Sequence, residues 1–177
     1  MRACESFGKE FSVKSLRLRI QLEVKEKPTV GIDRVTVVKF EENLDQNLKT
    51  ISRKILKGTY HFTNYSQLLI SKGVEKLPRE LCVPTVRDKL VLKALSHVLE
   101  DVFGDECITP QPQKVVDEIS NAIRLKRYKR FVKLDVRRFY ASIDHTILIK
   151  LIRAKIRKKE ILSLIDSVVT TPSVPFG

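Results

Sequence analysis

One acidic residue, Asp135, lies inside the most clearly patterned stretch of the chain. Val132, Leu134 and Val136 are apolar and alternate with Lys133 and Asp135, which is the period of a half-buried strand. An aspartate beside a strand is, taken alone, more often a cap or a surface charge than a ligand. The pattern therefore predicts a strand that presents one carboxylate, and the surrounding residues must indicate its role.

Cations surround this carboxylate. We define residues 124–138 as the basic segment, in which Asp135 is the only acid and the cations are Arg124, Lys126, Arg127, Lys129, Arg130, Lys133, Arg137 and Arg138. The whole chain carries a net charge of +13 and has a pI near 9.8, which indicates a polyanionic partner. The basic segment predicts binding to phosphates. The alternative is a solvated basic face that keeps the protein in solution.

An aromatic residue and a helix start follow the carboxylate. Tyr140 stands five residues after Asp135 in a predicted turn, and Asp144 directly precedes the apolar pattern HTILIKLI, where it can cap a helix. The run FVKLDVRRFYASIDH resembles the first palm motif of reverse transcriptases, especially the bacterial kind found in group II introns, retrons and phage-defence systems. The resemblance implies a right-hand polymerase that adds deoxynucleotides by phosphoryl transfer.

The resemblance also assigns roles to individual residues. It implies that Asp135 bridges two Mg²⁺ ions, which would stabilise the attacking and leaving oxygens, and that the backbone carbonyl of Val136 ligates one of them. Backbone amides near Arg138 and Phe139 would face the triphosphate. Tyr140 would exclude a 2′-hydroxyl and so select deoxynucleotides. Its alternative role is that of a core aromatic with a satisfied hydroxyl.

A second segment, KGVEKLPRELCVPTVRDKLVLKAL, resembles the reverse-transcriptase motif in which a Lys-bearing hairpin tip precedes Arg-x-Leu-x-Ile-Pro-Thr and a basic helix start. Lys72 and Arg79 would lie on the two limbs of this hairpin and bind a triphosphate; otherwise they are two exposed cations. Arg87 and Lys89 would contact nucleic acid, because their charges oppose the dipole of the helix that they begin.

A third segment, beginning GIDRVTVV, resembles the opening of the fingers, which usually reads Gly-x-Asp-Gly. Arg34 replaces the second glycine, so we expect this turn to be built differently. Residues 11–27 mix apolar and basic positions without a clean period, and we assign them no element.

Periodicity and capping signals predict the remaining elements. We expect helices over 40–56, 86–103, 115–127, 146–158 and 159–169, strands over 60–70, 79–83 and 132–136, and a turn in the tail 170–177. The fold class is α+β: reverse-transcriptase-like fingers and a partial palm, helix-rich, with a fingertip β-hairpin and a palm strand. The expected divisions are an N-terminal arm over 1–29, fingers over 30–128, and a first palm segment with following helices over 129–177.

The resemblance implies an RNA template, a DNA or RNA primer and deoxynucleoside triphosphates as partners. The family's Tyr-x-Asp-Asp motif is not in the sequence, so we expect the chain to be inactive alone, with a second chain or a C-terminal half completing palm and thumb. Two alternatives remain: a noncatalytic RNA-binding module, and a template-independent DNA polymerase of an antiviral system. The segment ITPQPQ favours a retron or defence enzyme. Scattered cysteines and the lack of an apolar run of membrane-spanning length predict a cytoplasmic protein without zinc or membrane contact.

Overall fold

The chain divides into two compact units, each described here by itself. In this computed structural model the first unit comprises Met1–Val102 and His145–Gly177, and the second comprises Phe103–Asp144. The structure describes residues 2–26, 30–71, 73, 78–104, 111–126, 128, 130, 132–136 and 139–175. The predicted fingers and palm boundaries are polymerase subdomains rather than contact-defined units, and they stay a prediction.

The N-terminal arm, to which the sequence pattern assigned no element, is helical. It contains α1 (Arg2–Glu10), α2 (Val13–Arg19) and a π-helical turn (Ile20–Val24). Ser12 caps α2 by accepting a hydrogen bond from the backbone amide of Ser15 at 3.2 Å. Five apolar side chains of the arm are completely buried: Phe7, Phe11, Leu16, Ile20 and Val24. Their intervals of four and five residues are helical, although the basic residues between them obscure this period in the sequence.

The helix predicted over residues 40–56 is present but broken. It forms two helices, α3 (Val37–Glu41) and α4 (Leu44–Leu56). The hydroxyl oxygen of Thr36 caps α3 by accepting a hydrogen bond from the amide of Lys39 at 3.2 Å. Before α3, the amide of Arg34 donates to the carbonyl of Gly31 at 3.0 Å and closes a turn. Arg34 has a φ of 56°, so an arginine adopts the left-handed conformation that glycine favours.

The predicted hairpin is confirmed, with a shorter first limb. Strand β1 (Tyr65–Ile70) pairs antiparallel with β2 (Arg79–Val83), from Ser66 opposite Val83 to Ile70 opposite Arg79. Residues 60–64 lie outside the strand because they form the loop that leaves α4. The prediction of a turn in the tail is wrong for residues Ser173–Pro175, which form strand β3. This strand pairs parallel with β1, so the strand order of the sheet is β2-β1-β3.

The remaining helices of the first unit form as predicted, to within a turn. They are α5 (Val86–Phe103), α7 (His145–Lys155) and α8 (Lys159–Thr170). Ile156, which lies between α7 and α8, is buried with the apolar faces of these helices. Their buried side chains are Val86, Leu90, Val91, Ala94, Leu95, Val98, Ile149, Ile152, Ile161, Leu164 and Ile165. No helix in the described part of the chain is both long and apolar enough to cross a membrane.

The second unit contains α6 (Pro112–Arg124) and a 3₁₀ turn (Phe139–Ser142). Helix α6 starts earlier than predicted because Pro112, which lacks an amide hydrogen, suits the first turn. The predicted strand over 132–136 is wrong for this structure: these residues form no ladder, and Leu134 is 88% exposed. An alternating segment becomes a strand only beside a partner strand, and no described residues pair with it. The fold is thus helix-rich α+β with a small three-stranded sheet.

Candidate nucleic-acid interface and active-site turn

Asp135 lies on an exposed, irregular segment, and the 3₁₀ turn begins four residues later at Phe139. The hydroxyl of Ser142 donates to the carbonyl of Phe139 at 2.8 Å and closes this turn. Val136 is 60% exposed. Arg137 and Arg138 lie outside the described residues, so the predicted role of the amides near Arg138 stays a prediction. The described part of the turn presents its carboxylate to solvent.

The aromatic pair of this turn is also exposed. The rings of Phe139 and Tyr140 meet edge to face, with centroids 5.2 Å apart. Tyr140 is 81% exposed and Phe139 53%, so neither ring is buried in a core. This exposure disfavours the alternative in which Tyr140 is a packed core aromatic. Selection of the sugar by Tyr140 stays a prediction.

The acidic groups of the described residues do not form a site for two Mg²⁺ ions. Among residues the structure describes, no three His, Cys, Asp or Glu side chains come together where they could hold a metal ion. Asp135 is the right type of ligand, because Mg²⁺ prefers carboxylate oxygen, but one carboxylate cannot organise two ions. The described residues therefore do not fit the metal centre that the resemblance implies.

The described cations of the basic segment all face solvent. Arg124 ends α6 and donates to the side-chain oxygen of Asn121 at 3.1 Å, while Lys126 follows in a left-handed conformation with φ of 51°. Arg130 and Lys133 are exposed as well. A cleft of about 680 Å³ lies beside them, lined by Glu118, Ile119, Asn121, Ala122, Tyr128, Arg130 and Val132. Arg127 and Lys129, also predicted to bind nucleic acid, lie outside the described residues.

The fingertip hairpin belongs to the first unit. Arg79 begins β2, is exposed, and pairs in register with Ile70. Lys72, its predicted partner in triphosphate binding, lies outside the described residues. The structure therefore confirms the hairpin and leaves the paired role of Lys72 and Arg79 a prediction.

A buried carboxylate that sequence reasoning missed lies at the base of this hairpin. Asp88 is 0% exposed. Its Oδ1 accepts a hydrogen bond from the hydroxyl of Tyr60 at 2.5 Å, and its Oδ2 accepts from the amide of Thr63 at 3.0 Å and the hydroxyl of Thr85 at 2.8 Å. The signal that could have found it is Thr85-x-x-Asp88, a capping-box spacing at the start of α5. Asp88 thus joins α5 to the loop that follows α4.

Arg87 belongs to the same group of side chains, which we call the Asp88 cluster: Tyr60, Thr63, Thr85, Arg87 and Asp88. Its guanidinium donates to Asp88 Oδ1 at 3.3 Å and to the hydroxyl of Thr63 at 2.7 Å, and it lies 5.3 Å from the ring centre of Tyr60. The unfavourable placement of this cation at a helix start is therefore offset locally, without any ligand. Lys89 is half-buried, one turn after Thr85.

The environment around Asp88 suppresses ionisation of two tyrosines. Burial raises the pKa of Tyr60 far above its usual value, and the negative charge of Asp88 adds to the effect. Burial, Asp88 and Cys82 together raise the pKa of Tyr65 to about 12. Both hydroxyls therefore act as neutral hydrogen-bond donors at physiological pH.

Comparison with known proteins gives a distant relationship. The chain is 30% identical over 136 residues to the group II intron-encoded protein LtrA of Lactococcus lactis subsp. cremoris, a match that covers 68% of this chain and 21% of LtrA. It is 22% identical over 170 residues to protein YkfC of Escherichia coli K12, covering 90% of this chain and 44% of YkfC. No model of a protein family matches the chain.

The chain therefore spans about a fifth of LtrA and less than half of YkfC. The match to LtrA supports a relationship to the reverse transcriptases of group II introns, in agreement with the three sequence motifs. Neither relative supports the predicted preference for a retron or defence enzyme, which stays untested.

Proposed function

We propose that this chain is the fingers and first palm portion of an RNA-directed DNA polymerase of the group II intron-encoded kind. The similarity to LtrA over 136 residues is the observation that carries this proposal. In the proposed reaction, the partners are an RNA template, a primer and deoxynucleoside triphosphates. Asp135 would contribute one carboxylate to the Mg²⁺ site of such an enzyme, and the described residues do not complete that site.

The part of this function that the described residues support best is binding of nucleic acid. The described cations of the basic segment are exposed, and they bracket Tyr128, an aromatic that is 64% exposed and available to stack on a base. Cations bind phosphates in any sequence, because the phosphate backbone carries no direct base information. Binding should therefore be tight at low salt and nearly independent of base sequence.

Salt-dependent binding tests this proposal. The full chain is titrated onto a labelled RNA–DNA hybrid by fluorescence anisotropy at several salt concentrations. About four phosphate contacts would give a slope of log K against log salt of roughly −3 to −4. Replacing Arg124, Lys126 and Arg130 by Gln should reduce the magnitude of the slope by about 2 to 3.

The matched control replaces Lys14, Lys39 and Lys49, three exposed cations of the first unit, by Gln. It removes the same charge and should change the slope by less than about 1. An equal reduction of the salt slope in the two triple variants would show that binding depends only on the net charge of the chain. A flat salt response in the unaltered chain would leave the basic segment a solvated face.

A noncatalytic RNA-binding module is the second candidate. The absence of a metal-ligand cluster among the described residues favours it for the 177 residues taken alone. A primer-extension assay on a primed RNA template with Mg²⁺ and deoxynucleotides distinguishes the two candidates when it is run on the chain and on a longer natural protein that contains it. Extension by the longer protein alone supports the polymerase, while no extension by either supports the binding module.

A further inference from the structure

A small cavity in the first unit has the chemistry of an anion site. It has a volume of about 180 Å³ and is lined by Thr50, Ile51, Lys54, Thr59, Tyr60, His61 and Arg87. Pockets for drug-sized ligands usually measure about 300–1,000 Å³, so this cavity is too small for a nucleotide. Because a water molecule occupies about 30 Å³ in the liquid, one phosphate group with a few waters fits.

The end of α4 brings the lining together. Gly58 has a φ of +67°, and its amide donates to the carbonyl of Ile55 at 2.9 Å, while the amide of Thr59 donates to the carbonyl of Lys54 at 2.8 Å. These two bonds form a Schellman motif, in which the residue after the helix must be left-handed. The chain reverses there and carries Thr59 and His61 back beside Lys54.

Arg87, which also lines the cavity, is held by several contacts. Its Nε and Nη2 donate to Asp88 and Nη2 also to Thr63, and the guanidinium lies over the ring of Tyr60. These hydrogen bonds use Nε and Nη2, and the side chain is 37% exposed. Because Nε and Nη2 already hold the guanidinium in place, this side chain loses little rotamer freedom when its remaining N–H groups bind an oxyanion.

The charge of the cavity favours an anion. Lys54 and Arg87 are cations and His61 adds a ring N–H donor, whereas the lining contains no acid. Asp88 balances the charge of Arg87, so the positive charge of Lys54 remains to attract an anion. The hydroxyl of Thr50 can supply a further donor to an oxyanion, whereas the hydroxyl of Thr59 already donates to the carbonyl of Lys54 at 3.3 Å.

We propose that this cavity, between Lys54, His61 and Arg87, binds a single backbone phosphate of an RNA strand. That the ligand is a phosphate follows from the chemistry of the cavity. That the phosphate belongs to an RNA strand rests on the proposed function. The proposed phosphate contact belongs to the first unit, whereas the basic segment belongs to the second.

The test replaces Lys54 by Gln and, separately, His61 by Asn in the full chain. Neither side chain takes part in the Asp88 cluster, so both variants should fold, whereas Arg87 variants would disturb that cluster. The control is Lys49→Gln, which removes the same charge five residues earlier, about 140° around the helix. Affinity for a single-stranded RNA oligonucleotide is measured over a range of salt concentrations.

Lys54→Gln should weaken binding about three- to tenfold and reduce the magnitude of the salt slope by about 0.7, the value for one phosphate of a single strand. His61→Asn should weaken binding about twofold, and Lys49→Gln should leave the slope unchanged. RNA binding that is lost in the basic-segment variant but unchanged in Lys54→Gln would overturn the cavity proposal and leave the proposed function standing. The reverse result would overturn the role of the basic segment and support the cavity.

Inorganic phosphate distinguishes the source of the ligand. Its effect on the imidazole NMR signals of His61 is measured with and without the Lys54→Gln substitution. A shift that Lys54→Gln abolishes, together with RNA competition for the same signals, supports a backbone phosphate. A shift with phosphate that RNA does not reproduce would show a site for the free ion, and no shift with either ligand would overturn the proposal.

Discussion

At the scale of single residues, Asp88 connects two parts of the first unit, the start of α5 and the loop that follows α4. It joins the start of α5 to Tyr60 and Thr63, which lie 28 and 25 residues earlier in the chain. A fully buried carboxylate is tolerated only when its oxygens are satisfied, and here each of them accepts at least two hydrogen bonds. Arg87 provides the compensating charge. The loop carrying the proposed phosphate contacts thus depends on one side chain.

Asp88→Asn should therefore destabilise the protein strongly. The amide nitrogen of asparagine faces donors where the aspartate accepted hydrogen bonds, and Arg87 loses its counter-charge. We expect a loss of about 2–4 kcal/mol in the free energy of unfolding, measured by urea denaturation. Asp45→Asn is the control, because Asp45 is 69% exposed in its pair with Arg17 and should cost less than about 1 kcal/mol. Equal effects of the two substitutions would show that the buried cluster contributes no more than a surface pair.

Tyr140 carries a prediction for the proposed polymerase activity. If the exposed ring closes beneath the sugar, Tyr140→Ala should admit a 2′-hydroxyl. Relief of a clash worth about 3 kcal/mol would change the ratio of ribonucleotide to deoxynucleotide insertion about a hundredfold. Single-nucleotide insertion with paired substrates measures the ratio, and Tyr128→Ala is the control from the same unit. A ratio that changes by less than about twofold in an active enzyme would make Tyr140 a residue without a role in sugar selection.

At the scale of elements, the loop before α3 packs directly on the start of α5. Gly31 is buried, and a Cβ built on it would lie 2.6 Å from the Cα of Thr85. Real Cβ atoms do not approach backbone this closely. Thr85 also caps α5 and donates to Asp88, so the glycine and the carboxylate cluster share one contact point. The motif glycine thus has a packing reason that does not require a ligand.

Gly31→Ala should cost about 1–3 kcal/mol in the free energy of unfolding, because the backbone of Thr85 cannot move without disturbing the cap. Gly8→Ala is the matched control. Gly8 lies in α1, and nothing lies within 4 Å of a Cβ built there, so alanine should stabilise the helix by about 0.5–1 kcal/mol. Thermal and urea unfolding of both variants should give opposite signs. Stabilisation by both substitutions would refute the close approach of these two loops.

At the scale of the whole molecule, we expect different residues to determine RNA affinity and the rate of nucleotide addition. Under the proposed function, the described cations would supply affinity through phosphates, whereas Asp135 would act on the transition state. In a longer protein with primer-extension activity, Asp135→Asn should lower turnover by several orders of magnitude and change RNA affinity by less than about twofold. Primer extension and anisotropy measure the two effects, with Asp117→Asn, an acid on α6, as the control. A parallel loss of affinity and turnover would mean that Asp135 supports the fold of the turn.

Local signals in the sequence determined most of the helices. Thr85 caps α5 and Gly58 ends α4, and both are local signals because capping and left-handed turns involve only neighbouring residues. The pairing of β1 with β2 could also be predicted from the sequence, because the two strands lie close together in the chain. The three motifs also determined the relationship that the match to LtrA supports.

Tertiary structure alone decided what distant contacts control. Strand β3 exists because residues 173–175 reach β1, about 100 positions earlier, and no local pattern encodes that pairing. Residues 132–136 have the alternation of a strand and remain irregular, because a strand also requires a neighbour with which to share hydrogen bonds. The cavity between Lys54, His61 and Arg87 likewise depends on the buried bonds of Asp88, which hold the loop after α4 against the start of α5.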